Sequence, residues 1–437
     1  MTPELIGILG IACFLLLIFL KVPIAYAMMA VGLVGFGLIV SFKAAFSVIA
    51  TDVFGTFTSY TLSVIPMFVW MGFIAFYSGV GSNLYGFTYK LVGHKKGGLA
   101  MATQIACAVF GAICGSNTAT AATMGAIAMP EMRKYHYDDS LSSASVAAGG
   151  ALGVLIPPSV IFIVYGIQTE QSIGQLFLAG IIPGLLLMLL YILAIYVVVS
   201  IKPELGPAST RFTWRERLSG LQNGLFEVMF TFCISLGGLF AGWFTPTEAG
   251  SIGTASILLI TLLRRQLNWQ GLKQSLIATV KTTAMIMLMV AGAVVFGRFI
   301  AVSRLPATLA TWAAALELPS FIVLTIILLI YLVLGCVIDA LALILLTIPI
   351  FYPVAVTTLG YDPIWFGVII VLIVALGVIT PPVGMNVFII KGVVKDLAVE
   401  TIFKGVWPFV LALFVCIALL MVFPQLATFL PTLLRSR

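Results

Sequence analysis

The sequence has few charged residues and very little histidine. Aspartate, glutamate, lysine and arginine make up 8% of the 437 residues, whereas soluble domains contain about 25%. The two histidines, His94 and His136, lie in charged loop segments, which excludes a multi-histidine metal centre. The six cysteines are scattered through apolar runs without a close pair, so they are interpreted as buried apolar residues and not as disulfides or metal ligands.

Long apolar runs dominate the chain instead. Hydrophobic residues make up 62% of it, and a helix needs about 20 mostly apolar residues to cross a membrane. The sequence therefore predicts an all-α polytopic membrane protein, surrounded by membrane lipids. We place ten spans near residues 4–20, 22–41, 62–80, 140–166, 176–200, 223–243, 246–263, 282–303, 364–392 and 403–427. Two further apolar stretches, 99–133 and 318–356, are interpreted as re-entrant helical hairpins.

Lysine and arginine set the predicted orientation. If each hairpin returns to the side from which it starts, 17 of the 22 basic residues fall on one side, four fall on the other, and Arg298 lies within a span. Cytoplasmic loops carry the excess of these residues, so both termini are predicted to face the periplasm. The net charge of +7 follows from this topology and gives no reason to expect a nucleic-acid partner.

The two halves of the chain share motifs. "GVLIPPSV" at 153–160 and "GVITPPVG" at 377–384 place a glycine and two prolines 224 residues apart, and Gly111 and Gly335 repeat at the same offset. Each half contains five predicted spans and one hairpin, and an odd number of spans makes the second half enter the membrane from the opposite face. This pattern predicts an inverted-topology repeat, a recurring plan of secondary transporters. The predicted repeats cover 1–222 and 223–437.

The adjacent prolines are expected to unwind a helix within the membrane. Proline cannot donate the helical hydrogen bond, and its ring clashes with the preceding turn. Unpaired carbonyl groups cost several kcal/mol in hydrocarbon, so such a break persists where it is buried in protein or lines a polar cavity. There the free carbonyl oxygens can bind a cation. A simple kink without a ligand is the alternative interpretation.

Polar residues mark the predicted tips of the two hairpins. The first tip contains Ser116, Asn117 and Thr118, which turn the chain and offer oxygen ligands. Small residues around them also favour close helix packing. The second tip contains Asp339, and intramembrane carboxylates are usually functional. A structural hydrogen bond is the alternative role for Asp339.

Arg298 is predicted near the outer end of a span. Its guanidinium group matches the geometry of a substrate carboxylate, so its replacement by alanine is expected to abolish uptake. Snorkelling to the outer interface is the alternative. Three other features are interpreted as structural and not as part of a binding site. Glu248 is predicted in the first turn of a helix, and the amphipathic segments 43–58 and 265–280 are interpreted as interfacial helices.

These motifs resemble the large membrane subunit of the tripartite ATP-independent periplasmic (TRAP) transporters. "GSNTATAATMGAIAMPEM", "GALGVLIPPSVIFIVYG", "FTPTEAG" and "LGVITPPVGMNVF" carry the resemblance, which covers essentially the full length. It implies sodium-coupled uptake of a small organic acid across the bacterial inner membrane by an elevator movement of the hairpin-bearing domain. It also implies two protein partners, a periplasmic substrate-binding protein and a small four-helix membrane subunit.

The resemblance further implies where Na⁺ and substrate bind. The metal ligands that it implies are Ser116, Gly153, Ile156 and Pro158 in one site, largely through backbone oxygens, and Gly335, Asp339, Gly377, Thr380 and Met385 in the other. The substrate-binding residues that it implies are Arg298, Asn117, Thr118 and Asn386.

Three other functions were weighed. A stand-alone ion-coupled carrier of the same architecture would need no binding protein. A passive channel would not show saturable, sodium-dependent uptake. An intramembrane enzyme would need a Ser/His, paired-Asp or metal set, but no histidine lies in a predicted span and Asp339 lacks an evident acidic partner. The sequence also contains no P-loop motif for a nucleotide. The chain is therefore predicted not to be an enzyme.

Overall fold

The structure, a computed structural model, describes residues 1–219, 224–315 and 318–435, and these residues form helices and no strands. The all-α prediction is thus confirmed. The helices of the first half are α1 (Pro3–Phe19), α2 (Ile24–Ile39), α3 (Phe42–Thr58), α4 (Val64–Tyr77), α5 (Val80–Val92), α6 (Gly98–Cys114), α7 (Asn117–Lys134), α8 (Asp139–Leu155), α9 (Val160–Thr169), α10 (Ile173–Ile201) and α11 (Trp214–Ser219).

The second half has a similar order of helices. They are α12 (Leu225–Phe240), α13 (Pro246–Leu263), α14 (Trp269–Val302), α15 (Leu305–Ala315), α16 (Ser320–Gly335), α17 (Ala340–Tyr352), α18 (Pro363–Gly377), α19 (Met385–Val393), α20 (Val399–Val422) and α21 (Gln425–Arg435). The predicted boundary between the repeats, at 222/223, lies outside the described residues.

The structure interrupts a helix at both proline pairs. The first interruption separates α8 from α9 and covers 156–159, and the second separates α18 from α19 and covers 378–384. The Pro157–Pro158 and Pro381–Pro382 peptide bonds are both cis. An aspartate caps the helix that precedes each interruption, which is α8 in the first half and α18 in the second. Asp138 Oδ1 accepts a hydrogen bond from Ser140 N at 2.8 Å, and Asp362 Oδ1 accepts one from Trp365 N at 2.8 Å.

Two helix pairs with short turns accompany these interrupted helices. Gly115 and Ser116 join α6 to α7, and residues 336–339 join α16 to α17. Each pair crosses an interrupted helix through two glycines. A Cβ atom on Gly111 of α6 would lie 2.8 Å from the Cα of Gly153 in α8, and a Cβ on Gly377 of α18 would lie 2.6 Å from the carbonyl carbon of Gly335 in α16. Both crossings therefore depend on the absence of a side chain.

The remaining helices pack beside this group, with α2 along α14 and α4 along α13. The amphipathic segment predicted at 265–280 is not a separate helix, since α14 continues through it without a break for 34 residues. The segment predicted at 43–58 forms α3, which is bent by 52° from the helical segment that follows it. Glu248 lies in the first turn of α13, as predicted, where its carboxylate accepts hydrogen bonds from the backbone and side chain of Thr245.

Six described helical segments are long and apolar enough to cross a membrane, one of which joins α8 and α9 across the first interruption and another of which extends α17 to residue 358. The number rises to seven if the bent segment that contains α3 and α4 counts as one span. Helices α1, α2 and α12 are shorter, with 17, 16 and 16 residues. At about 1.5 Å per residue they reach some 24–26 Å, slightly less than the hydrocarbon thickness of about 30 Å. Helices α5, α11, α15 and α21 were not predicted.

Candidate functional site

A cavity of about 210 Å³ lies where the two helix turns meet. Both turns line it, together with residues of α4, α9 and α14. The polar residues in its wall are Ser116, Asn117, Thr118, Thr282 and Asp339. The apolar part of the wall includes Phe73, Val160, Ile161, Met285 and Met289. The predicted tips of the two hairpins, 224 residues apart in the sequence, are thus brought to one cavity.

The first turn sits directly on the first helix interruption. Gly115 has a φ of +63°, and a Cβ atom there would collide with the carbonyl oxygen of Pro158. Val160 N also donates to Gly115 O at 3.4 Å. Ser116 then caps α7, since its hydroxyl accepts from Ala119 N at 3.4 Å and lies 3.1 Å from the hydroxyl of Thr118.

Most of the first predicted cation set is gathered around this turn. A Cβ on Gly153 would lie 2.8 Å from the carbonyl oxygen of Ser116, and Pro158 O adjoins Gly115 as described above. Ile156 lies in the same interruption, with its side chain against Gly184 of α10. The carbonyl oxygens of Ser116 and Pro158 therefore lie where the turn meets the interruption, and carbonyl oxygens are ligands that suit a hard cation such as Na⁺.

Thr120 is a residue of this region that sequence reasoning missed. Its hydroxyl is buried and has no hydrogen-bond partner, and it would lie 2.5 Å from a Cβ on Gly153. Many helix threonines donate to a carbonyl three or four residues earlier, as Thr123 does to Ala119 at 2.6 Å, although the buried hydroxyls of Thr231 and Thr283 also have no partner. An unsatisfied buried hydroxyl beside Ser116 O and Gly153 fits a cation ligand.

The second predicted cation set is distributed along a longer stretch. Gly335 and Gly377 form the glycine crossing, while Thr380 Oγ1 donates to Leu376 O at 2.6 Å. Met385 is the first residue of α19. Asp339 is half-buried in the cavity wall, and its carboxylate caps α17 by accepting from Leu341 N at 3.1 Å. This is the structural hydrogen bond considered from the sequence, and Asp339 makes it while it also faces the cavity.

Asn117 and Asn386, both predicted to bind substrate, contact each other. Asn117 Nδ2 lies 3.4 Å from Asn386 Oδ1, and Asn386 Nδ2 donates to Ala147 O in α8 at 2.9 Å. Asn117 is 6% exposed and lines the cavity, whereas Asn386 is 0% exposed and lies behind it. Asn386 therefore supports Asn117 from the side opposite the cavity.

Arg298 lies apart from this cavity. Its Nε and Nη2 atoms are 3.1 and 3.4 Å from the Asp52 carboxylate of α3. On α14, the cavity is lined by residues from Thr282 to Met289. Arg298 is nine residues beyond Met289, or about 14 Å along a helix that rises about 1.5 Å per residue. The structure does not bring Arg298 to the two tips.

Three helix N-termini converge on the cavity. Asn117, Val160 and Ala340 are the first residues of α7, α9 and α17, and all three line it. Unpaired N–H groups and the helix dipole favour an anion at such termini. Among the described residues, no three His, Cys, Asp or Glu side chains come together to hold a metal. The site therefore combines oxygen ligands for a hard cation with the N-termini of α7 and α9 for an anion, while the Asp339 carboxylate caps the N-terminus of α17.

Comparison with known proteins decides the family. A family model described as "Tripartite ATP-independent periplasmic transporter, DctM component" matches residues 11–426. The chain belongs to this family. The resemblance to the TRAP large membrane subunit is confirmed, and this DctM-family chain is a transporter component, in agreement with the prediction that it is not an enzyme.

Two curated relatives and one solved structure illustrate the match. The DctM-family chain is 35% identical over 384 residues to the C4-dicarboxylate TRAP transporter large permease protein DctM of Pseudomonas aeruginosa, covering 88% of this chain and 89% of that protein. It is 34% identical over 435 residues to the sialic acid TRAP transporter large permease protein SiaM of Vibrio cholerae, covering 99% of each. The crystal structure of the Alcanivorax borkumensis YdaH transporter shares the fold, with a TM-score of 0.62 and 15% sequence identity. The match covers 88% of this chain and 90% of that chain.

Proposed function

We propose that this DctM-family protein carries out sodium-coupled uptake of a small organic acid across the bacterial inner membrane. The observation that carries the proposal is the cavity between the two turns, where interrupted helices, oxygen ligands and three helix N-termini meet. The names of the two relatives, which refer to C4-dicarboxylates and sialic acid, support a carboxylate substrate.

Na⁺ is proposed to bind at each helix interruption. The first site uses oxygen atoms of Ser116, Gly153, Ile156 and Pro158, to which we add the hydroxyl of Thr120. The second site uses Gly335, Asp339, Gly377, Thr380 and Met385. Bound Na⁺ would hold each tip against its interrupted helix and so order the wall of the cavity.

The substrate carboxylate is proposed to dock between the tips. Asn117 and Thr118 line the cavity and offer an amide and a hydroxyl, and backbone N–H groups at the N-termini of α7 and α9 add further donors. The N-terminus of α17 is already capped by the Asp339 carboxylate. Asn386 acts from behind by orienting Asn117. All of these hydrogen-bond donors are uncharged, so the carboxylate would be bound between the tips without contacting a basic side chain.

The transport step is proposed to be an elevator movement of the domain that carries both helix pairs and both interrupted helices. This domain would slide along α14 and the helices packed with it. A displacement of about 14 Å toward the C-terminal end of α14 would bring the tips level with Arg298. Arg298 would then receive the carboxylate on the outer side, which keeps the carboxylate-binding role that the sequence predicts for it.

The proposed orientation has both termini in the periplasm and two inverted repeats. Ion pairs between distant residues support it. Arg133 contacts Asp396 at 2.9 Å, and Arg264 contacts Glu227 at 2.7 Å. The sequence assigns both arginines to the cytoplasmic side, Asp396 directly follows Lys395, which is assigned there too, and Glu227 lies at the start of the predicted span 223–243. Arg298 and Asp52 are both assigned near the outer side. A small four-helix membrane subunit and a periplasmic substrate-binding protein complete the proposed transporter.

Uptake into proteoliposomes tests the proposal. The full chain, reconstituted with its small subunit, should accumulate a labelled C4-dicarboxylate or sialic acid only when the binding protein and an inward Na⁺ gradient are both present. Replacing Na⁺ by K⁺ should remove uptake. Uptake that persists without the binding protein would instead support the stand-alone carrier, and uptake indifferent to Na⁺ would contradict the coupling.

A further inference from the structure

The linker after α10 folds over the turn between α5 and α6. Gly206 O accepts a hydrogen bond from Gly97 N at 2.8 Å. Ser209 donates to Gly93 O from its backbone nitrogen at 3.0 Å and from its hydroxyl at 2.9 Å. Residues 206–217 are therefore held against residues 93–97, far along the chain from them.

This contact brings together two segments that carry six basic residues. They are Lys90, Lys95, Lys96, Arg211, Arg215 and Arg217, and we call them the linker patch. Segments 89–97 and 206–217 contain a single acidic residue, Glu216, whose carboxylate accepts hydrogen bonds from Thr213 N at 2.7 Å and Thr213 Oγ1 at 2.8 Å. The surface therefore has a large local excess of positive charge.

The positive charges of the linker patch act on His94, which lies between its members in the sequence. Arg217 Nη2 lies 3.5 Å from His94 Nδ1, and burial, then Arg217, Arg211 and Lys95, lower the pKa of His94. Within the described chain, none of the five ion pairs involves a residue of the linker patch. The Nε atom of Arg217 is buried without a hydrogen-bond partner. An unsatisfied arginine donor in two segments that hold six basic residues and one carboxylate indicates an anionic ligand.

Aromatic side chains in the same two segments indicate that the linker patch lies at the membrane–water interface. Trp214 is 72% exposed, and the guanidinium of Arg217 lies 5.1 Å from the centre of its ring. Phe212 packs edge-on against Tyr89 at 5.3 Å. Exposed tryptophan is typical of the membrane–water interface, and clusters of four to eight basic residues beside a span are typical of sites for anionic lipids.

We propose that the linker patch binds the headgroups of anionic phospholipids in the cytoplasmic leaflet. The inference rests on the proposed orientation, in which both segments face the cytoplasm. The linker also accepts a hydrogen bond from Gly97, the residue that precedes α6. Bound lipid would therefore hold the N-terminal end of α6 at the membrane surface.

Binding of phosphatidylglycerol to the purified full chain tests the proposal without any measurement of transport. Native mass spectrometry should show retained phosphatidylglycerol at concentrations where phosphatidylcholine is lost. The variant K95Q/K96Q/R211Q should bind phosphatidylglycerol at least tenfold more weakly. The matched control K273Q/K281Q/R265Q removes the same charges from other predicted cytoplasmic positions and should bind as the unmodified chain does. Equal weakening in both variants, or equal retention of phosphatidylcholine, would overturn the proposal.

Two further arms use the unmodified chain and so do not depend on how a variant folds. Retention of phosphatidylglycerol should fall as salt rises, because exposed charges are screened. Excess inorganic phosphate should leave the lipid bound, since phosphate lacks the interfacial anchoring of a membrane lipid. Salt-independent retention, or displacement by inorganic phosphate, would contradict a lipid-headgroup site.

Discussion

Asn386 Oδ1 accepts from Asn117 Nδ2 at 3.4 Å, which ties the first turn to the second interrupted helix. Asn386 also donates from its side chain to Ala147 O in α8, and from its backbone to Val378 O at 2.9 Å, within the second interruption. One buried amide thus contacts the first turn and both interrupted helices. A Cβ on Gly150 would lie 2.9 Å from Asn386 Nδ2, so Gly150 leaves the space that this amide needs.

Asn386→Ala and Asn117→Ala should weaken the same interaction. Each leaves a buried polar group without its partner, so each should lower the free energy of unfolding by about 1–3 kcal/mol. The double variant should be less destabilised than the sum of the two by about 0.5–1 kcal/mol, because the residues are in contact. Thermal unfolding of all four proteins measures this. Strict additivity would show that the amides are independent.

The contact between Asn386 and Asn117 should also affect the cooperativity between the two proposed Na⁺ sites. Because Asn386 contacts elements of both proposed cation sites, N386A should lower the sodium Hill coefficient of uptake. The measurement is initial uptake rate against Na⁺ concentration. An unchanged Hill coefficient together with a lower thermal stability would limit Asn386 to a structural role.

The two glycines of the second crossing, Gly335 and Gly377, should differ in their tolerance of alanine. A Cβ on Gly377 would lie 2.6 Å from backbone of α16, whereas a Cβ on its partner Gly335 would make ordinary contacts at 3.4 and 3.6 Å. Gly377→Ala should therefore destabilise by about 1–3 kcal/mol, as overpacking does, while Gly335→Ala serves as the matched control. Thermal unfolding distinguishes them. Equal melting temperatures of the two variants would mean that α16 and α18 can move apart to admit the extra methyl group without loss of stability.

Much of this arrangement could be predicted from the sequence because it depends on local chemistry. Adjacent prolines interrupt a helix wherever they occur, and glycine repeats at 111 and 335 marked the crossings. Contacts between distant residues could not be read in the same way. Nothing local in the sequence pairs Glu227 with Arg264, or leaves the Thr120 hydroxyl unsatisfied while Thr123 bonds to its own helix. These depend on which helix faces come together.

The Thr120 hydroxyl should contribute to Na⁺ affinity. Thr120→Val keeps the shape and removes the oxygen, so the Na⁺ concentration for half-maximal uptake should rise about five- to thirtyfold, equivalent to about 1–2 kcal/mol. Thr123→Val is the control, because that hydroxyl already bonds to Ala119 O. Uptake against Na⁺ concentration measures both. Equal Na⁺ dependence in the two variants would remove Thr120 from the proposed site.

Arg298 and Asp52 give a direct test of the proposed outer step. Asp52 is 11% exposed at its side chain and Arg298 is 61% exposed, so the pair is open to solvent on the arginine side and should add only about 0–1 kcal/mol to stability. If Arg298 receives the carboxylate, Arg298→Ala should abolish Na⁺-driven uptake, whereas Asp52→Asn should retain it because the guanidinium remains. Uptake and melting temperature of both variants check this. Equal loss of uptake in both would mean that Arg298 acts only through its pair with Asp52, and that the carboxylate is held by the two tips alone.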